Sequence, residues 1–259
     1  MNLGLADKVA LVCGASRGIG RAVAEELAAE GASVVVSSRD GERLTATAAE
    51  IGPEVLAVPA DLAVAGEPRR VVEATLERFG RLDVLVANTG GPPAGTHDTL
   101  SPDDWERATA LLLGSAVELT TAALPGMKER GWGRILAVTS VAVKQPVDNL
   151  MLSNSLRAAV TGFAVTLARE VAKDGITVNT ILPGYTSTER VVELNEANAQ
   201  REGVDPAEIQ ARLEASIPLG RLAEPEEFAA LAAFLASERA GYITGGAFAV
   251  DGGWLRGLL

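Results

Sequence analysis

One cysteine, one histidine and two tyrosines stand among 259 residues, and aromatics of all kinds make up only 4%. With Cys13 alone, no internal disulfide can form, and a reducing compartment, the cytoplasm, is the expected setting. No apolar run approaches the roughly eighteen residues of a membrane span, so none is expected. Met1–Asp7 shows no charged leader followed by an apolar stretch, so no signal peptide is read there. Basic residues are outnumbered 23 to 34, a net charge of −11. Such a surface repels phosphate backbones and argues against a nucleic-acid partner, while leaving room for one small basic pocket. Hydrophobic residues reach 47%. With so few rings, Ala, Val and Leu must fill the core, which suits helices lying close on a sheet.

The hydrophobic period switches repeatedly along the chain. Short apolar runs predict strands at Val9–Cys13, Ser33–Ser37, Val55–Val58, Asp83–Ala87, Arg134–Val138, Ile176–Leu182 and Ala247–Val250. Helical spacing predicts helices at Arg21–Glu30, Glu42–Ile51, Glu67–Phe79, Pro102–Arg130, Ser153–Lys173 and Pro225–Ser237, with Pro125 kinking or dividing the longest. Strands without polar alternation are covered on both faces, and strict β-α alternation implies a parallel sheet between helices. No linker or repeat breaks the chain, so residues 1–259 read as one domain. Residues 186–217 are charged and weakly periodic. They read as a helical lid over a site or as a solvated excursion.

Gly14-Ala15-Ser16-Arg17-Gly18-Ile19-Gly20 follows the first strand and opens the first helix. Glycines at 14, 18 and 20 let the backbone turn sharply and approach a pyrophosphate, which then meets the free N–H groups and positive end of the helix. The strand-turn-helix context makes this a dinucleotide loop in a Rossmann-type, doubly wound, mainly parallel seven-stranded α/β sheet with helices on both faces. The spacing GxxxGxG resembles that of the short-chain dehydrogenase/reductase family, and the resemblance spans nearly the whole chain. Asp61-Leu62 resembles the family's adenine-contacting pair, and Asn88-Thr89-Gly90 its Asn-Ala-Gly motif. Asn179, Pro183-Gly184 and Thr188 match its loop beside the nicotinamide. Pro218–Arg221, Pro225–Glu227 and Asp251-Gly252-Gly253 match its C-terminal segment. Among the family's branches, 3-oxoacyl-carrier-protein reductases are the most similar.

The second strand ends Ser38-Arg39-Asp40. An NAD site needs a carboxylate there for the ribose hydroxyls, whereas an arginine grips the 2′-phosphate of NADP. Ser38 and Arg39, with Arg17 in reach, favour NADP over NAD. Asp40 is the countervailing residue, since an inward carboxylate favours NAD.

The resemblance implies a catalytic Ser, Tyr and Lys, with an Asn in the long helix. Ser140 matches the serine. Thirteen residues on, Ser153 stands in the tyrosine's place, and Arg157 stands in the lysine's; Leu111 replaces the asparagine. Arg157 can still bond a ribose but cannot shuttle a proton. Loss of a general acid costs on the order of 10² to 10⁴ in rate. Tyr185, beside the expected nicotinamide, is the first candidate for a replacement donor, with packing its plainer role. Lys144 is the second, with a solvated loop lysine its plainer reading. His97 is the third and reads better as an exposed loop residue. The expected function is NADP-dependent interconversion of a small carbonyl or alcohol. The alternatives are a catalytically silent NADP-binding sensor or scaffold, and dehydration or isomerisation in the same cleft. Family members pair their long helices, so a homotetramer is expected, with Ala158, Ala159, Gly162 and Ala168 allowing close helix contact.

Overall fold

A computed structural model describes residues 2–258. Seven strands, β1 (Val9–Cys13), β2 (Ser33–Ser38), β3 (Leu56–Pro59), β4 (Val84–Ala87), β5 (Gly133–Val138), β6 (Ile176–Pro183) and β7 (Ala247–Val250), form one sheet in the order β3-β2-β1-β4-β5-β6-β7. Every pairing is parallel. The order reverses between β1 and β4, and the crevice outside the carboxyl ends of strands at such a switch point is where open α/β sheets bind ligands.

Among the described residues, nine α-helices connect the strands: α1 (Gly18–Ala29), α2 (Gly41–Ile51), α3 (Glu67–Phe79), α4 (Pro102–Thr109), α5 (Ser115–Arg130), α6 (Met151–Val171), α7 (Glu189–Glu202), α8 (Pro206–Ser216) and α9 (Pro225–Ala236). Because side chains alternate along a strand, the sheet feeds two cores. Ala10, Val12, Val34, Val36 and Val86 pack with α1 and α9. Leu11, Cys13, Val35, Leu85 and Ile135 pack with α3, α5 and α6. Small residues make the first interface close, with Ala22 and Ala24 of α1 buried beside Ala229, Ala232, Ala233 and Ala236 of α9. A core poor in rings is thus closed by alanine. Cys13 lies in β1, where burial pushes its thiol up to about 12 and leaves it unreactive at neutral pH.

The fold class and the strands agree with the sequence reading to within a residue or two. The long helix does not. Its break is a π turn at Ala110–Gly114, and Pro125 lies inside an uninterrupted α5. A proline in a helix interior costs about 3 kcal/mol. Leu119, Ala123 and Met127, all buried against the sheet, offset that cost. The continuous stretch Pro102–Arg130 is 29 residues and apolar enough by composition to cross a membrane, yet its buried face is part of this core. Residues 186–217, read as a helical lid or a solvated excursion, contain two helices, α7 and α8, packed on one another.

Candidate active site

The carboxyl ends of β1, β2, β4, β5 and β6 open into one cleft of about 850 Å³. Its floor at one end is the glycine turn. Gly14 has φ +61°, and a Cβ there would sit 2.9 Å from the carbonyl oxygen of Asn88. At Gly20 a Cβ would sit 2.2 Å from the carbonyl oxygen of Gly14. Asn88, at the end of β4, locks the turn by donating from Nδ2 to the carbonyl oxygens of Cys13 (3.2 Å) and Gly14 (3.3 Å). No side chain caps the first N–H groups of α1, which leaves them free to bond a diphosphate.

The cleft wall brings together Gly14, Ser16, Arg17, Gly18, Ile19, Gly20, Ser38, Arg39, Leu62, Asn88, Gly90, Pro183, Gly184 and Thr188. Four residues expected at the site lie elsewhere. Asp61 is not part of the wall, because its carboxylate accepts from the Ala63 N–H (3.0 Å) and from Arg107 Nη2 (3.0 Å). Lys144 is exposed, just past the one-turn helix Val141–Val143, and outside the cleft. His97 is also exposed and outside it. Asn179 is a buried β6 residue. Its side chain bonds the carbonyl oxygen of Ile243 (2.8 Å) and the N–H of Gly246 (3.0 Å), so it holds the turn into β7 and touches no ligand space. The motif around Asp251 is a buttress. Gly184 donates to the carbonyl oxygen of Val250 (2.9 Å), and a Cβ on Gly184 would lie 2.7 Å from Cα of Asp251.

At the β2 end the wall is basic. Arg39 stands there, and Asp40 turns one carboxylate oxygen to the α2 N-terminus, where it accepts from the Arg43 N–H at 3.0 Å. Asp40 is thereby fixed as a helix cap. Arg43, one turn into α2, is a wall residue that the sequence reading missed. Arg17 and Arg43 both hold the carboxylate of Glu189, the first residue of α7, with Arg43 Nη1 at 3.0 Å; Arg17 Nη2 also pairs Glu193 at 3.1 Å. Arg43 and then Arg17 hold the Glu189 carboxyl down at about 2. Gly18 and Thr188 bring the glycine turn and the start of α7 into contact, a Cβ at Gly18 lying 3.2 Å from Cγ2 of Thr188.

The other end of the cleft holds the residues expected to do chemistry. Ser140 follows β5, and its Oγ accepts from the Ala142 N–H (3.1 Å). Ser153 and Arg157 are one turn apart on α6, 7% and 9% exposed, and both line the cleft. Arg157 Nη1 donates to the carbonyl oxygen of Val138 at 2.9 Å. Burial, and then the positive charge of Arg190, lower its guanidinium to about 10. Leu111 reaches the wall from the π turn. Tyr185 lines the cleft with its ring edge-on to Trp254, centroids 5.7 Å apart. Burial, then the charge of Asp148, raise its phenol above the ordinary tyrosine value. Among the described residues, no group of three or more His, Cys, Asp and Glu side chains could hold a metal ion.

Comparison with known proteins agrees with this geometry. The family model for enoyl-(acyl carrier protein) reductase matches residues 14–255. The chain is 39% identical over 258 residues to a 3-oxoacyl-[acyl-carrier-protein] reductase of Synechocystis sp., covering 96% of this chain and 97% of that one. It is 37% identical over 250 residues to the short-chain reductase protein NovJ of Streptomyces niveus, covering 95% and 94%. The solved structure of L-sorbose reductase from Gluconobacter frateurii, complexed with NADPH and L-sorbose, superposes with a TM-score of 0.94 at 37% identity and full coverage of both chains. A glycine-turn cleft at the switch point, a Ser140 beside it and relatives along the full length of the chain together make this protein a member of the short-chain dehydrogenase/reductase family.

Proposed function

We propose that the protein is an NADP-dependent oxidoreductase that interconverts a small carbonyl compound and its alcohol, in the manner of 3-oxoacyl reductases but with an atypical proton donor. The observation that carries this is the single cleft joining the glycine turn and its basic corner to Ser140, Tyr185 and Arg157. When bound, the nicotinamide supplies or accepts the hydride. The chain's own residues divide the remaining work. The α1 N-terminus and Gly14–Gly20 take the diphosphate, while Ser38, Arg39 and Arg43 take the 2′-phosphate. Asn88, Gly90, Pro183, Gly184 and Thr188 border the nucleosides, with Leu62 beside the base. Ser140 holds the substrate oxygen through its hydroxyl. Tyr185, a half-buried phenol kept protonated at neutral pH, gives the proton that Ser153 cannot. Helices α7 and α8 act as the lid, and the cofactor's phosphate displaces Glu189 from Arg17 and Arg43.

Exposed Val117 on α5 (39%) and Val165 on α6 (38%) support association through these two helices, and a homotetramer is the assembly we propose. The acidic surface and the single buried thiol fit a cytoplasmic protein with neither a membrane nor a nucleic-acid partner.

The test is direct. Purified protein is mixed with NADPH and a panel of ketones and aldehydes, and NADPH absorbance is followed. Turnover of any member supports the proposal. Ser153 and Arg157, standing where a Tyr and a Lys are expected, favour the second reading, a silent NADP-binding sensor or scaffold. Tight NADPH binding without turnover across the panel would establish that reading instead.

A further inference from the structure

Two arginines in the described residues are nearly buried, and their surroundings differ. Arg134 makes three hydrogen bonds to backbone carbonyls and packs on a ring. Nε donates to the carbonyl oxygen of Ser237, Nη1 donates to those of Gly133 and Gly175, and the guanidinium lies 4.4 Å over the Trp132 ring. Arg157 is 9% exposed, donates one hydrogen bond, to a neutral carbonyl, and has no carboxylate within ion-pair distance among the described residues. A buried charge without a counter-ion carries a heavy desolvation penalty, and here the guanidinium forms part of the cleft wall.

A second cation shares this space. Arg190, in the first turn of α7, lies against Gly91, with Nη2 donating to the carbonyl oxygen of Pro92 at 3.0 Å. Its charge acts on Arg157, so the two repel. Its own acidic partner, Glu193, is 3.6 Å away and is shared with Arg17. Apart from Glu193, the wall here carries the neutral hydroxyls of Ser140 and Ser153 and the apolar Leu111, Val141 and Leu150. Ser153 is small where a phenol is expected, which leaves room beside the guanidinium one turn along α6.

We propose that Arg157 and Arg190 form an anion subsite that receives a carboxylate of the small-molecule substrate, so that the substrate is an oxo acid or hydroxy acid rather than a neutral ketone or alcohol. A carboxylate here relieves the repulsion and matches the planar fork of the guanidinium. The substrate assignment rests on the oxidoreductase reading above; the subsite does not.

The experiment measures binding by titration calorimetry with saturating NADPH present, so that the cofactor's own phosphates are already in place. The probes are 2-oxopentanoate, 4-oxopentanoate and the methyl ester of each. We expect at least one acid to bind about tenfold or more tightly than its ester, since hydrogen bonds to a charged group differ from neutral contacts by that factor. Arg190→Met, on the lid surface, should reduce the preference, and Arg157→Met should abolish it, while Arg157→Lys should keep part of it. Equal affinity for acid and ester overturns the subsite, and the wild-type comparison alone decides this whether or not Arg157→Met folds. An unchanged acid preference in Arg157→Met together with weakened NADPH binding also overturns it, because Arg157 then serves the cofactor alone. Acid preference without any NADPH oxidation supports the subsite and removes the oxidoreductase reading.

Discussion

Arg157 Nη1 donates to the carbonyl oxygen of Val138 across 2.9 Å, tying α6 to the last residue of β5 just before Ser140. This bond makes Arg157→Met a test of two opposed effects. Removing a buried charge that lacks a counter-ion is favourable, while an unpaired buried carbonyl costs about 1 to 3 kcal/mol. The two should nearly cancel. Urea unfolding is expected to shift by less than about 2 kcal/mol. A larger loss would mean that the guanidinium is chiefly a structural tie.

Tyr185 as proton donor gives a pH prediction. Burial raises its phenol above the ordinary value near 10, so the protonated form a general acid needs persists through the neutral range. Reduction rates at saturating substrate should stay flat from neutrality to about pH 10 and fall above it. A falling limb well below pH 10 would count against Tyr185 as the donor. Tyr185→Phe should lower kcat by on the order of 10² to 10⁴.

The pairing of Glu189 with Arg17 and Arg43 predicts cofactor selectivity. Glu189→Gln removes an internal competitor for the two guanidinium groups and should tighten NADPH binding several-fold, with little change for NADH. Arg39→Ala and Arg43→Ala should each weaken NADPH by roughly tenfold or more, again sparing NADH. Fluorescence titration of both cofactors separates these outcomes. Equal losses for the two would contradict a 2′-phosphate site. The sign with pH follows from the depressed Glu189 carboxyl. The ion pair is fully present above about 4.5 and is lost as pH falls through about 2, so the competition is constant over any pH at which the enzyme is assayed.

Gly20→Ala drives a Cβ onto the carbonyl oxygen of Gly14, a backbone atom that cannot give way. Loss of NADPH binding is expected, with a stability loss of about 1 to 3 kcal/mol. Circular dichroism and thermal melting check the fold, and titration checks the site.

The assembly prediction concerns α5 and α6. Val117→Glu with Val165→Glu places charges on two exposed apolar positions. Sedimentation should show a tetramer for the wild type and smaller species for the double variant. A monomeric wild type would refute the proposal.

How much of this was legible in the sequence follows from sequence distance. The glycine turn and the strands are written in local spacing, while Ser140, Ser153 and Arg157 were singled out by the family resemblance; all three line the cleft. Arg43 was within reach, since it lies one turn beyond Arg39 on the helix that Asp40 caps. Glu189 meets Arg17 and Arg43 across separations of 172 and 146 residues, which no local pattern reports. Lys144 lies outside the cleft, because counting from Ser140 cannot tell which way the chain turns beyond a one-turn helix. Pro125 attracted the helix break because a missing N–H is visible in sequence, whereas the burial that tolerates it, and the π turn upstream, depend on packing.

The edge-on contact between Tyr185 and Trp254 also gives the molecule a built-in optical reporter. Of its three tryptophans, Trp132 lies beneath Lys8 and Arg134, and Trp105 belongs to α4. Trp254 is in ring contact with Tyr185 of the cleft wall. Its emission should therefore respond when the cleft fills, so ligand occupancy can be read from the unlabelled protein.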